Sequence, residues 1–218
     1  MFVGHYGPSF AAKKTEPSVP LWVLFIAVQF LDILWAPLVL LRIEKVRIVR
    51  HFTASNALDL YYMPYTHGLL TALFWSLFAG VLYYFVVRSS PRQAGVVVGL
   101  AVFSHWVLDF IVHVPDLPLY GNAAKVGLGL WNTPALAYPL ESAVLLGGMW
   151  LCLRRRQART SQAWTLGGLL LVIQAYNTFL APPPTSDRVF AVTALVAYAV
   201  FAVAIWWLED RRATRGAV

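Results

Sequence analysis

Charge is what this chain has least of. Asp, Glu, Lys and Arg together make 12% of its 218 residues, while 59% are hydrophobic. An ordinary soluble domain carries roughly twice that charged share. So little polar surface excludes a water-soluble globule and makes lipid the solvent for much of the exterior. Cysteine is nearly absent too. Cys152 stands alone, which excludes an internal disulfide. Lysine and arginine are missing from the long apolar runs, so no basic side chain there can pair with an acid. The formal net charge is nonetheless +7. Its basic residues stand in short clusters beside the apolar runs, with no stripe interleaved with aromatics on a polar segment. That pattern speaks against a nucleic-acid surface and for a topology signal.

What is present in quantity is apolar length. About 20 apolar residues cross a bilayer core as a helix, and six stretches qualify: Leu21–Leu41, Gly68–Val87, Gly95–Val112, Pro134–Leu153, Trp164–Ala181 and Val189–Leu208. The expected fold is therefore an all-α integral membrane protein, a bundle of about six transmembrane helices in one domain. An N-terminal arm (1–20) precedes a four-helix part (21–153) and two further helices (154–218). The first stretch is too long for a signal peptide, carries Asp32 and lacks a following cleavage site. Trp22, Trp131, Trp150, Trp164, Trp206 and Trp207 lie toward the ends of the runs, as an interfacial belt would place them. Gly147-Gly148 and Gly167-Gly168 are expected close-packing positions.

Lys and Arg set the orientation. With both termini cytoplasmic, the inner segments hold eleven basic residues: Lys13, Lys14, Arg88, Arg92, Arg154, Arg155, Arg156, Arg159, Arg211, Arg212 and Arg215. The outer segments hold six: Arg42, Lys45, Arg47, Arg50, Lys125 and Arg188. This asymmetry favours cytoplasmic termini, although the first outer loop, Arg42–Tyr65, dissents with four basic residues. The second outer segment, Val114–Asn132, is rich in Pro and Gly and is expected to cap the bundle. Ala181–Pro184 is a rigid connector.

The chemistry lies in acids without partners. Asp32, Asp109 and Glu141 sit inside apolar runs, where each Asp costs roughly 2.5–3.5 kcal/mol at a helix centre. Without a basic partner they must be protonated, hydrated or bound to a cation. His5, His67, His105 and His113 lie near the same segments, and acids with imidazoles form the ligand set of a zinc, manganese or iron site. His105 and Asp109 are four residues apart and share one helix face. His113 has drifted about 80° and risen about 12 Å from His105, which assigns it to a supporting role or a second metal. In the orientation above, Asp32, His67, His105, Asp109 and Glu141 reach similar depth in the outer half of the bundle. A lone intramembrane Asp or a His-x3-Asp pair is common enough to be merely structural. The joint set is what points to metal. His51, in a basic loop, reads as exposed and silent, and Asp116 reads as a turn residue. Gly127 and Gly129 lack the Gly-Lys-Ser/Thr ending of a phosphate loop.

Gly4-His5-Tyr6-Gly7, Phe30-Leu31-Asp32, Pro64-Tyr65-Thr66-His67 and Ser104-His105 through Asp109 together resemble, in this order, the motifs of small bacterial membrane-bound metal-dependent hydrolases. The likeness covers roughly the first two-thirds of the chain. It implies a bacterial inner-membrane protein with His5, Asp32, His67, His105 and Asp109 as metal ligands. Two positions depart from the family pattern: a Pro-Asp-x-Asp-His motif is reduced to Asp32, and the Ser after the motif His is Gly68. His5 precedes the first span, on the side opposite His67. It reaches the site only if Phe2–Lys13 folds inward as a re-entrant segment or if a span is misassigned.

Two functions remain open on sequence. One is a membrane hydrolase in which a divalent cation, zinc first, activates water against an ester or phosphoester, with Glu141 as general base and a lipid-like substrate. The other is a non-enzymatic membrane protein, either a metal or proton transporter or an accessory subunit of a membrane complex. The apolar inner halves of the helices favour the enzyme, since a transport path needs polar groups through to the inner face.

Overall fold

An apolar run in lipid must satisfy its backbone groups internally, which favours helices. The computed structural model describes residues 1–89, 91–154 and 160–215. Its elements in chain order are α1 (Tyr6–Thr15), α2 (Leu21–Val28), α3 (Phe30–Leu40), β1 (Lys45–Ile48), β2 (Leu58–Tyr62), α4 (Leu69–Val86), α5 (Arg92–Val112), β3 (Leu117–Tyr120), β4 (Ala123–Val126), α6 (Pro134–Leu153), α7 (Thr160–Phe179) and α8 (Asp187–Arg215). Among the described residues, four helices are long and apolar enough to cross a membrane: Leu69–Val86, Arg92–Val112, Pro134–Leu153 and Asp187–Glu209. The pair α2 and α3 makes a fifth if taken as one bent span. α7 stands outside that set because Gln162, Gln174 and Asn177 dilute its apolar run. Of the basic residues expected on the inner side, Arg155, Arg156 and Arg159 lie outside the described residues.

Two expectations are corrected. The first span is not continuous: it breaks at Gln29 and its halves meet at 52°. A side chain intruding on a helix ladder is a recognised cause of such a kink. Here the Val28 carbonyl accepts a hydrogen bond from His105 Nδ1 at 2.8 Å, and Gln29 Nε2 donates to the Phe2 carbonyl at 3.3 Å. Nor is the chain purely α. The two loops expected on the outer side fold into antiparallel hairpins, β1 with β2 and β3 with β4. Val46, Leu60, Met63 and Leu117 from this region pack with Trp35, Ala36 and Val39 of α3 and Ala191 of α8 into a second core. This small core fastens both hairpins over one end of the helices.

The N-terminal arm folds inward. A 3-10 turn over Val3–His5 runs into α1, and Val3, Gly4, His5, Tyr6, Gly7, Ser9 and Phe10 are buried. α1 packs on α2, α5 and α6. Ten helical residues span about 15 Å, so α1 carries His5 from the level of Lys13 deep into the bundle. Close approach makes this packing possible. A Cβ on Gly148 would lie 2.1 Å from the Gly7 carbonyl oxygen, so α1 and α6 touch backbone to backbone there. Gly167 lies against Met149, whereas Gly147 and Gly168 face open space, so one glycine of each pair is a packing position.

Candidate metal centre

Four segments deliver five polar groups to one place. The 3-10 turn brings His5, the first turn of α3 brings Asp32, the residues before α4 bring His67, and α5 brings His105 and Asp109. Two overlapping sets hold their donor atoms within 4.8 Å of one another: His5, His105 and Asp109, and Asp32, His67 and His105. His105 Nε2 is 3.1 Å from Asp109 Oδ2 and 3.7 Å from Asp32 Oδ1. His67 Nε2 is 3.3 Å from Asp32 Oδ1 and 3.8 Å from Asp109 Oδ2. A tetrahedral zinc with bonds of about 2.0–2.1 Å separates its donors by about 3.3–3.4 Å. The four observed separations bracket that value.

The hydrogen bonds of the histidines say which nitrogen faces the acids. His105 Nδ1–H donates to the Val28 carbonyl, which turns Nε2 toward the two carboxylates; that atom is buried with no hydrogen-bond partner. A buried imidazole nitrogen aimed at two carboxylates either carries a proton or meets a cation, and it does not fit an apolar packed core. His113 behaves similarly, with Nδ1 2.9 Å from Asp116 Oδ1 and Nε2 3.7 Å from Asp109 Oδ2. Asp116 therefore does more than shape a turn, since it orients His113. The ring of His113 also packs on Trp131, 4.2 Å between centroids, and its carbonyl accepts the Gly129 N–H at 2.6 Å. Gly129 has φ +72°, a left-handed conformation open to glycine, which lets this loop close over His113.

His5 joins the cluster from the arm. Its Nε2 is 3.1 Å from Asp109 Oδ1 and its ring stacks on His105 at 3.9 Å. The amino group of Met1 also contacts Asp109 Oδ1. The oxygens of Asp32 have no Lys or Arg partner among the described residues. Its Oδ2 accepts the Tyr198 hydroxyl of α8 at 2.6 Å. Glu141 is buried beside the arm, where its Oε2 accepts the backbone N–H groups of Phe2 at 3.1 Å and Gly4 at 3.4 Å. It thus anchors the turn that carries His5, and it belongs to neither donor set. His51 is exposed on the first hairpin.

Two contributors were not read from the sequence. Tyr198 gave no signal, because a tyrosine in an apolar run reads as ordinary lipid-facing bulk. Glu44 sits among basic residues in the loop after α3 and reads as solvated, yet it is 1% exposed. Its Oε1 accepts the N–H groups of Tyr65 at 2.7 Å and Thr66 at 3.0 Å, and its Oε2 accepts the Thr66 hydroxyl at 2.6 Å. Burial pushes its carboxyl up from the ordinary glutamate value, while His67 and these hydrogen bonds pull the other way. No protein-family model, curated protein or solved structure matches the chain.

Proposed function

We propose that this chain is a membrane-embedded metal-dependent hydrolase acting on an ester or phosphoester of lipid-like character. One observation carries the reading: His67, His105, Asp32 and Asp109, from three separate parts of the chain, converge with donor spacings near those of a tetrahedral site. Nitrogen and carboxylate donors suit zinc first, and manganese or iron as well. When bound, the cation would polarise a substrate oxygen and lower the pKa of water. The chain's own residues do the rest. Val28 holds His105 with Nε2 toward the acids, Tyr198 holds Asp32 through its outer oxygen, and Asp116 holds His113 beside Asp109. Glu141, as anchor of the arm, keeps His5 against Asp109, and it is also the candidate general base. Six crossings, counting α2 with α3 and including α7, with both termini cytoplasmic, complete the reading. The centre then lies on the outer-leaflet side, beneath the two hairpins.

Elemental analysis of purified protein and melting curves with and without chelator test it. A ligand that binds only the native state stabilises by RT ln(1 + [L]/Kd), about 4 kcal/mol at a thousandfold excess over Kd. Stoichiometric metal and a lower Tm in chelator are expected, and His105→Ala should abolish both. Metal-free protein that melts identically in the two conditions would sink the hydrolase reading and leave an accessory membrane subunit as the better account.

A further inference from the structure

We propose that Glu44 is a positioning residue for the metal centre: through the Thr66 hydroxyl it fixes the proton of His67 on Nδ1 and leaves Nε2 as a bare donor. The inference rests on the metal reading above and concerns a residue outside both donor sets.

A hydroxyl has one proton to give and two lone pairs with which to accept. Thr66 Oγ1 lies 2.6 Å from Glu44 Oε2 and 2.8 Å from His67 Nδ1. A carboxylate can only accept, so the Thr66 proton goes to Glu44. Thr66 Oγ1 can then only accept from His67, and the imidazole proton must sit on Nδ1. In the neutral ring, His67 Nε2 is then left facing Asp32 Oδ1 at 3.3 Å and Asp109 Oδ2 at 3.8 Å with its lone pair available. Metal-binding histidines commonly have the far nitrogen tied to a carboxylate or carbonyl in this way, and the arrangement parallels His105 with Val28.

The position of Glu44 is itself built. The N–H groups of Ile43 and Glu44 both reach back to the Leu38 carbonyl, at 2.8 and 3.2 Å. The end of α3 thereby places Glu44 beside Thr66, while the first turn of the same helix supplies Asp32. Trp106 Nε1 donates to the His67 carbonyl at 2.9 Å, which fixes the other side of the residue. A plain loop cap would need only the two backbone N–H groups that Glu44 Oε1 accepts. The third bond, and its continuation into an imidazole, goes beyond capping.

Glu44→Gln separates the two roles. The amide oxygen of Gln can still accept from Tyr65 and Thr66, so the loop stays capped. Its NH2 then faces Thr66 Oγ1 and donates to it. The Thr66 hydroxyl turns to donate to His67 Nδ1, which moves the imidazole proton to Nε2, toward the metal position. Thr66→Val removes the hydroxyl while leaving Glu44 and its backbone bonds in place, and Thr66→Ser retains it.

The test uses the full chain in detergent or nanodiscs, with Zn2+ affinity measured by competition against a chromophoric chelator. The tautomer of His67 is read by 15N NMR on histidine-labelled, metal-free protein. The expected result is a protonated Nδ1 in the parent. Glu44→Gln and Thr66→Val should weaken Zn2+ binding about 10- to 100-fold, the usual effect of removing such an outer partner. The Tm of the metal-free protein should change little, and Thr66→Ser should bind as the parent does. Should Glu44→Gln fail to fold, Thr66→Val decides. A parent that binds Zn2+ together with a Thr66→Val variant that binds equally tightly overturns the role of Glu44 and leaves the metal centre standing. A parent that binds no metal overturns both.

Discussion

Glu141 shows how one buried side chain can carry two readings that substitution separates. Its Oε2 accepts from Phe2 and Gly4, two buried or partly buried N–H groups whose alternative partners would have to be water. An unsatisfied buried donor costs about 1–3 kcal/mol. Glu141→Leu is therefore expected to lower stability by that order and to loosen the arm with His5. Glu141→Gln keeps an acceptor of the same shape and should melt within a degree or two of the parent. If Glu141 is also the general base, Glu141→Gln loses hydrolysis while keeping its metal; if it is an anchor alone, activity survives. Thermal melts with metal content and turnover distinguish the cases. At this scale the sequence was informative wherever burial is costly. Asp32, His105 and Asp109 stand out because a charge or imidazole in an apolar run has no cheap explanation. Glu44 and Tyr198 do not stand out, because a glutamate in a loop and a tyrosine in a span both have one.

Helices meet here through small residues, and the contacts are asymmetric enough to test. On the α1–α6 seam a Cβ at Gly148 would meet the Gly7 backbone at 2.1 Å, while a Cβ at the adjacent Gly147 would meet nothing within 4 Å. Gly148→Ala should force the helices apart and cost about 1–3 kcal/mol by overpacking, and it should weaken metal binding because α1 carries His5. Gly147→Ala should be neutral or slightly stabilising, since Ala is the better helix former by roughly 1 kcal/mol. Equal Tm values for the two variants would contradict the seam. α4 and α5 share the same device: Gly80 and Gly95 each approach the other's carbonyl oxygen, at 2.6 Å to the built Cβ, and Gly99 approaches that of Ser76 at 2.8 Å. The spacing Ser76-x3-Gly80 against Gly95-x3-Gly99 is visible in the sequence, but spacing alone does not say which helix lies opposite. Element positions were the most legible part. Pro134–Leu153 appears with the expected ends, and α4 and α5 lie within a few residues of theirs. The break at Gln29 was not legible, because a single Gln leaves the apolar run unbroken. The hairpins were not legible either, because composition marked those stretches only as loops.

At the scale of the whole molecule, the donor groups and both hairpins lie at the same end of the bundle, so orientation decides which side of the membrane the centre serves. The count of basic residues favours cytoplasmic termini, and the objection to it was the cluster in the first outer loop. The fold weakens that objection. Arg47 pairs with Asp59 at 2.7 Å and lies over the Tyr61 ring at 4.3 Å, while Lys45 lies over Tyr62 at 5.6 Å. Lys125 of the second hairpin donates to the Tyr61 carbonyl at 2.6 Å and ties the two hairpins together. Three of the six outer cations thus have partners within a folded cap. The positive-inside bias is strongest for short loops near the ends of spans, and folded segments cross with less regard to charge. Single cysteines at Asn122, in the turn between β3 and β4, and at Arg88, between α4 and α5, give a direct reading. A membrane-impermeant maleimide added to intact cells should label Asn122→Cys at once and Arg88→Cys only after permeabilisation. The parent supplies the background, because its single Cys152 is buried. The reverse pattern would place the hairpins and the centre on the cytoplasmic side, and an outer-leaflet lipid could then not be the substrate. Labelling of both sites from outside would mean that α4 and α5 do not cross as a pair, and the six-crossing arrangement would fall with them.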